Sequence, residues 1–123
     1  MTDKELQDRT KKFALRIIKL VRVLEKDGIG RIIGRQLLRS GTSVAANYRA
    51  VCRPKSARDF IAKLAIVIEE SDETVFWLEI VIESRLVEKG LVMDLFKEAN
   101  EITAIMVASR HSAITNQKIN KSN

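Results

Sequence analysis

Proline, glycine, cysteine, histidine and aromatic residues are all scarce in this chain of 123 residues. One proline and five glycines leave few places where a helix must stop, and no long segment alternates apolar and polar residues as a half-buried strand does. The single cysteine, Cys52, excludes an internal disulfide, and the single histidine leaves no Cys/His spacing typical of a metal site. The composition therefore predicts an all-α protein with no metal and no cofactor.

Long apolar runs and a secretory leader are also missing. No segment approaches about 18 consecutive apolar residues, the length expected of a transmembrane helix, and the N-terminal segment MTDKELQDRTKK is polar. Together with the free thiol, these features predict a cytoplasmic protein without a membrane partner. The length predicts one domain, a bundle over residues 1–115 followed by a flexible C-terminal tail over 116–123.

The formal net charge of the chain is only +6, but the charges are unevenly distributed, and one part of the chain contains no acidic residue. Residues 28–58 contain seven basic side chains and no acidic one, whereas residues 59–90 contain eight acidic and three basic side chains. The protein therefore has a strongly basic segment followed by an acidic one, and the basic segment is suited to binding anions.

Apolar periodicity predicts four amphipathic helices, at about 3–27, 30–53, 57–89 and 92–114. The short connections between these long helices favour an antiparallel up-down four-helix bundle. The run of small residues at 40–43 has weak helix propensity. Helix two is nevertheless expected to continue through it, because its apolar face keeps the same phase and small residues let a neighbouring helix approach closely.

Capping and turn residues mark the expected ends of the helices. Thr2 and Ser56, each followed three residues later by an acid, are typical capping-box starts for helices one and three. Gly28 and Gly90 are expected to end the same two helices, because glycine adopts the left-handed conformation after a helix without steric cost.

Five arginines of helix two are predicted to share one face. At about 100° per residue, they fall within an arc of roughly 80° opposite the apolar side of the helix. This arginine face consists of Arg31, Arg35, Arg39, Arg49 and Arg53. Guanidinium groups bind phosphate oxygens bidentately, so the face is a candidate for binding the backbone of RNA or DNA. A solvated helix face, or pairing with the carboxylates of helix three, is the alternative.

Helix three has a second apolar line beside its core face, formed by Ile66, Trp77 and Val81. A monomeric bundle gains little by exposing a tryptophan, and tryptophan is enriched in the centres of interfaces. These three residues are therefore predicted to form a contact between subunits. The alternative is a broad core that covers them within one chain.

The sequence also predicts a polar network between helices two and three, and it contains no catalytic motif of a known type. Arg39, Ser43 and Asn47 follow one another at four-residue steps and are predicted to dock helix two on Glu70 and Glu73 of helix three, as a structural network. No Glu-x-x-His unit, nucleophile elbow or nucleotide-binding glycine motif occurs in the sequence. We therefore expect neither an enzyme nor a small-molecule substrate.

The segment from Gln36 to Glu79 resembles the 23S rRNA-intervening sequence proteins. The similarity is densest in QLLRSGTS at the start, in AAN, in DFI at the start of helix three, in the EE pair and in WLE at the end. The resemblance extends over essentially the whole chain in length and helix order. It implies a bacterial, left-handed up-down four-helix bundle that assembles as a homopentameric ring and has no established biochemical activity.

A more distant similarity is to the accessory protein of diversity-generating retroelements, which binds a reverse transcriptase and nucleic acid through basic surfaces. Fold-level similarity alone does not transfer function. The residues and the resemblance together predict a non-catalytic, oligomeric protein that associates with RNA or DNA. The alternative is a protein-interaction adaptor or scaffold ring, for example a reverse-transcriptase accessory subunit.

Overall fold

The computed structural model describes the backbone of residues 1–122 and the side chains of residues 1–120. The helices are α1 (Asp3–Leu24), α2 (Gly28–Val51), α3 (Ala57–Glu83) and α4 (Met93–Ser122), with a short 3-10 turn at Lys89–Leu91. No strand occurs in this part of the chain. Consecutive helices pack against each other, and α4 also contacts α1. The predicted all-α four-helix bundle is confirmed, while its up-down order and left-handed sense stay predictions.

One apolar core lies between the helices and takes side chains from all four of them. Ile17, Leu37, Leu78 and Ile102, one from each helix, have no exposed surface. Burial of one such side chain contributes about 1.5–3 kcal/mol, so these positions dominate the stability of the bundle. The residues that apolar periodicity places on the inner face of each helix, such as Leu64, Val67, Val75 and Leu78 of α3, are buried except for four that are only partly buried. These four residues are Ile33, Phe60, Ile82 and Ala113.

Small residues allow α1 and α2 to approach closely, and α2 runs without a break through residues 40–43 as expected. A Cβ atom placed on Gly41 would lie 2.9 Å from the side chain of Ile17. On the other side of α2, the buried Thr74 hydroxyl donates a hydrogen bond to the Ser40 hydroxyl at 2.9 Å. The low intrinsic helix propensity of this run is therefore outweighed by packing on both sides.

Side-chain caps begin the first three helices. The Thr2 hydroxyl oxygen accepts from the Glu5 amide at 3.1 Å, and the Ser56 hydroxyl oxygen accepts from the Asp59 amide at 3.0 Å. Both predicted starts are confirmed on their hydroxyl side. The reciprocal half differs, since Asp59 accepts from the Lys55 amide at 2.9 Å.

The predicted end of helix one at residue 27 was wrong. Asp27 caps α2 instead, accepting from the Gly30 amide at 2.9 Å, so α1 ends at Leu24. Gly28 is the first residue of α2 and does not have a positive φ.

The predicted end of helix three near Gly90 was also wrong. Arg85, with φ 58°, is the residue that takes the left-handed conformation after α3. The Leu86 amide donates to the Val81 carbonyl at 3.4 Å and the Arg85 amide to Ile82 at 3.2 Å, which is a Schellman motif. A non-glycine residue pays about 1–2 kcal/mol for this conformation. Sequence patterns therefore place the end of α3 at the next glycine, too far along the chain.

Helix α4 continues to Ser122, beyond the expected end near residue 114. Asn116 and Gln117 line a groove together with Pro54 and Phe60, so this part of α4 lies against the connection between α2 and α3. Whether residues 116–123 behave as a flexible tail stays a prediction, and residue 123 lies outside the described residues.

Candidate nucleic-acid interface

Four arginines of the arginine face extend freely into solvent. Arg31, Arg35 and Arg49 are exposed on α2, opposite the side that buries Leu37. Arg53 is also exposed, but it lies two residues beyond the end of α2 at Val51, because the helix stops before the predicted end at residue 53. None of the four forms an ion pair with any residue in the described part of the chain. Their charges are therefore uncompensated by a close intramolecular carboxylate, which leaves their donors available to an external anion.

The fifth arginine is engaged within the chain. Arg39 donates from Nη1 to Glu70 at 3.2 Å and from Nη2 to Glu73, both on α3. The Glu73 hydrogen bond is the main reason why the pKa of Arg39 is raised above its ordinary value. Arg39 is therefore paired with carboxylates of α3, which was the alternative to anion binding, whereas the other four arginines of the arginine face are not.

The network between α2 and α3 is smaller than the sequence predicted. Burial opposes ionisation of Glu73, but hydrogen bonds from Arg39 and from the Trp77 indole, at 3.1 Å, hold the pKa of Glu73 below its ordinary value. Asn47 donates to the Ser43 carbonyl of its own helix at 2.9 Å. Ser43 and Asn47 therefore make no side-chain hydrogen bond to the carboxylates of α3 within the described structure, which corrects their assignment to the network.

Only two of the three residues predicted to form a subunit contact on α3 lie at the surface of the bundle. Ile66 is 47% exposed and Trp77 is partly buried, but Val81 is 0% exposed and belongs to the bundle core. Val81 lies on the inner face because it is one turn of helix from Leu78. Phe76 was missed, although it is 49% exposed and its ring meets that of Trp77 edge to face at 4.9 Å. We define Ile66, Phe76 and Trp77 as the outer patch of α3.

An ion cluster joins α1 to α4 and was not predicted. The Arg9 guanidinium donates to Glu98 at 2.8 and 2.6 Å and to Glu101 at 2.5 Å. These partners are separated by about 90 residues in the sequence, so no local pattern indicates the pairing. The hydrogen bond from Arg9 is the main reason why the pKa of Glu98 is held below its ordinary value. The cluster connects two helices that otherwise share few contacts.

Replacing Glu98 with glutamine is expected to lower the free energy of unfolding by about 1.5 kcal/mol at pH 7, because charge-assisted hydrogen bonds are lost. A lowered folded pKa stabilises the protein above the unfolded pKa of about 4.3, and this stabilisation disappears as the pH falls through the folded value. The difference between Glu98→Gln and wild type should therefore shrink between pH 7 and pH 3 in urea denaturation. Glu101→Gln, at a more exposed position, should have a smaller effect. A difference that does not change with pH would contradict this account.

Within residues 1–122 no three of His, Cys, Asp and Glu lie close enough to hold a metal ion. His111 is exposed beside Val107 and Arg110 on α4. Cys52 is partly buried at the end of α2 near Tyr48, whose pKa is raised mainly by burial and then by Cys52. That the protein is not an enzyme stays a prediction.

No helix in the described part of the chain combines the length and the apolarity needed to cross a membrane.

Comparisons with known proteins agree on one family. The model of the 23S rRNA-intervening sequence protein family matches residues 2–108. A solved structure of a protein with unknown function from the S23 ribosomal protein family, from Bacteroides thetaiotaomicron, shares 31% sequence identity and superposes with a TM-score of 0.80. The match covers 85% of this chain and 97% of that one. No curated protein matches the chain. The chain belongs to the 23S rRNA-intervening sequence protein family.

Proposed function

We propose that this protein is a non-catalytic nucleic-acid-binding protein that holds the phosphate backbone of single-stranded RNA or DNA through Arg31, Arg35, Arg49 and Arg53. The observation that carries the proposal is the exposure of four arginines that form no ion pair with any other described residue. They lie in a segment of 31 residues that contains no acid. Nothing nearby in that segment offsets their field, so they favour a polyanion.

The geometry supports binding to the phosphate backbone of a nucleic acid and argues against recognition of its bases. From Arg31 to Arg49 the helix rises by about 27 Å, which is long enough to follow several nucleotides. Arg53 follows just beyond the end of α2. The aromatic residue of α2, Tyr48, is 5% exposed and faces the core, so α2 offers no platform for base stacking. Phosphate contacts position a ligand without selecting its sequence. Binding is therefore expected to be weak and largely independent of sequence.

Salt dependence measures this binding directly. Each neutralised phosphate of a single strand contributes about −0.7 to the slope of log affinity against log salt, so four arginines predict a slope of about −3. The experiment is fluorescence anisotropy of a labelled oligouridine between 50 and about 300 mM salt. The double variant Arg35→Glu with Arg53→Glu should abolish binding at about 100 mM salt while unfolding at the wild-type temperature.

A matched control separates the arginine face from overall charge. Lys89→Glu with Lys97→Glu makes the same change in net charge in the 3-10 turn before α4 and in the first turns of α4, a helix that packs chiefly against α3. This variant should bind within about threefold of wild type, as expected for distant charges screened by salt. Equal losses in the two double variants, or a wild type without salt-dependent binding, would overturn the proposal.

We also propose that the chain self-associates through the outer patch of α3, forming the ring of five that the family resemblance implies. Ile66 and Phe76 each expose about half of their surface on one helix, and apolar surface of this kind marks interaction sites. A ring would repeat the arginine face in every subunit, so weak single sites would act together. An adaptor role would use the same patch for a different protein.

Light scattering on a sizing column tests self-association. The wild type should elute at several times the chain mass of 13.9 kDa. Phe76→Ser should reduce the assembly to smaller species without unfolding them, because half of this side chain is already in water. A monodisperse wild-type monomer would exclude the ring. An unchanged assembly in Phe76→Ser would place the contact elsewhere.

A further inference from the structure

A groove lies between the N-terminal half of α1 and the C-terminal half of α2. It encloses about 300 Å³ and is open to solvent. Its lining consists of Lys4, Gln7, Asp8, Lys11, Ala45, Ala46 and Arg49. Two of the residues that line it on the α2 side, Ala45 and Ala46, are alanines, whose small side chains leave space between the two helices. A volume near 300 Å³ is at the small end of ligand sites, which suits one phosphate group and part of its sugar.

The charges around the groove are mostly positive. Lys11 and Arg49 have no ion pair with the residues that the structure describes. Lys4 contacts Asp8 at 3.2 Å, and both side chains are largely exposed. Exposed pairs of this type contribute little, about 0–1 kcal/mol, so Lys4 can leave Asp8 for a stronger anion. Three cations and one carboxylate give the groove a net positive charge, and Gln7 adds neutral donors.

We propose that this groove is a phosphate subsite that seats a phosphodiester of the bound nucleic acid, with Lys4 and Lys11 of α1 acting together with Arg49 of α2. The inference rests on the proposed function and extends it, because it moves the path of the strand from α2 onto α1. Arg49 belongs both to the arginine face and to the groove, which makes the two surfaces continuous. Lysine ammonium groups suit this position, since they bind phosphate as point charges without a fixed fork geometry.

Neutralising the two lysines tests the groove. Because the two lysines share one phosphodiester with Arg49, Lys4→Gln with Lys11→Gln should reduce the magnitude of the salt slope by about 0.7 and weaken oligouridine binding about fivefold at 0.1 M salt. The matched control is Lys12→Gln with Lys19→Gln, which removes the same charge from exposed positions of α1 outside the groove. The control should keep the wild-type slope and bind within about threefold of wild type. Equal effects in both variants would overturn the proposal.

A steric variant tests the same site without changing charge. Ala46→Leu, at an exposed position that lines the groove, should leave the unfolding temperature unchanged while weakening binding about tenfold, by obstructing the groove. Wild-type affinity in this variant would show that the strand does not enter the groove.

These variants can show that the groove proposal fails while the proposed binding by the arginine face still holds. Binding lost in Arg35→Glu with Arg53→Glu but kept in the groove variants would leave the arginine face intact and reject the groove alone. The phosphate in the groove could come from a nucleic acid or from free polyphosphate. NMR titrations that follow the amides of Ala45 and Ala46, with oligouridine and with inorganic tripolyphosphate, distinguish these two sources. Shifts with both oligouridine and tripolyphosphate are expected. Shifts with tripolyphosphate alone would reassign the groove to free polyphosphate, and no shift with either probe would overturn it.

Discussion

Replacing Phe13 with alanine is expected to lower the free energy of unfolding by about 4 kcal/mol, the largest single effect that we predict. Phe13 is 2% exposed and is among the largest fully buried side chains in the core. Its truncation removes the transfer free energy of the ring and leaves a cavity that the four packed helices can close only in part. Because native proteins are stable by about 5–15 kcal/mol, the loss is a large fraction of the total. Urea denaturation would measure it directly.

Phe76→Ala is the matched control, since it removes the same side chain from a position that is 49% exposed. It should cost about 1 kcal/mol or less, mainly the edge-to-face contact with Trp77. The comparison also separates stability from assembly, because Phe76→Ala should affect subunit contacts while Phe13→Ala affects folding. Similar losses of stability in both variants would contradict the division between core and outer patch.

Gly30→Ala is expected to destabilise the protein by about 3 kcal/mol, through a steric conflict at the α1–α2 connection. A Cβ atom on Gly30 would lie 2.3 Å from the carbonyl oxygen of Leu24, which belongs to the backbone and cannot rotate away. To relieve the conflict, the connection must open, and the cap from Asp27 to the Gly30 amide is strained with it. Overpacking of this kind typically costs about 1–3 kcal/mol. Thermal unfolding should fall by about 12 °C for a chain of this length.

Gly28→Ala makes the same substitution two residues earlier in α2 and is the control. A Cβ atom on Gly28 meets nothing within 4 Å, and its φ is not positive. Alanine there should leave stability unchanged or raise it by up to about 1 kcal/mol, because it restricts the unfolded chain and favours the helix. If Gly30→Ala were as stable as Gly28→Ala, the close approach of the Leu24 carbonyl would not exist in solution.

The candidate site illustrates how far local patterns reach. The spacing of the arginines placed all five on the outer side of the predicted second helix, because one helix turn is a fixed geometric period. Arg53 nevertheless lies beyond the end of α2 at Val51. The same spacing could not distinguish Arg39 from its neighbours, since its partners Glu70 and Glu73 lie 31 and 34 residues away. The groove residues on α1 were missed for the same reason. Lys4 and Lys11 come near Arg49 only when the two helices pack.

Helix ends show a similar division between local and tertiary causes. The starts at Thr2 and Ser56 were predictable, because each cap is made within three residues of sequence. The end of α3 at Glu83 was not, because Arg85 takes a conformation that its residue type disfavours and that sequence patterns assign to glycine.

The sequence by itself determined that the protein is all-helical, which residues form most of the core, and where the basic and acidic segments lie. These properties follow from periodicity, capping and composition, which act within a few residues of the chain. Only the tertiary structure decided which charges are paired, as in the cluster of Arg9 with Glu98, and which apolar residues remain outside, as Phe76 does and Val81 does not. Those outcomes depend on the distances between helices, because a charge is compensated or a side chain covered only by its neighbour in space.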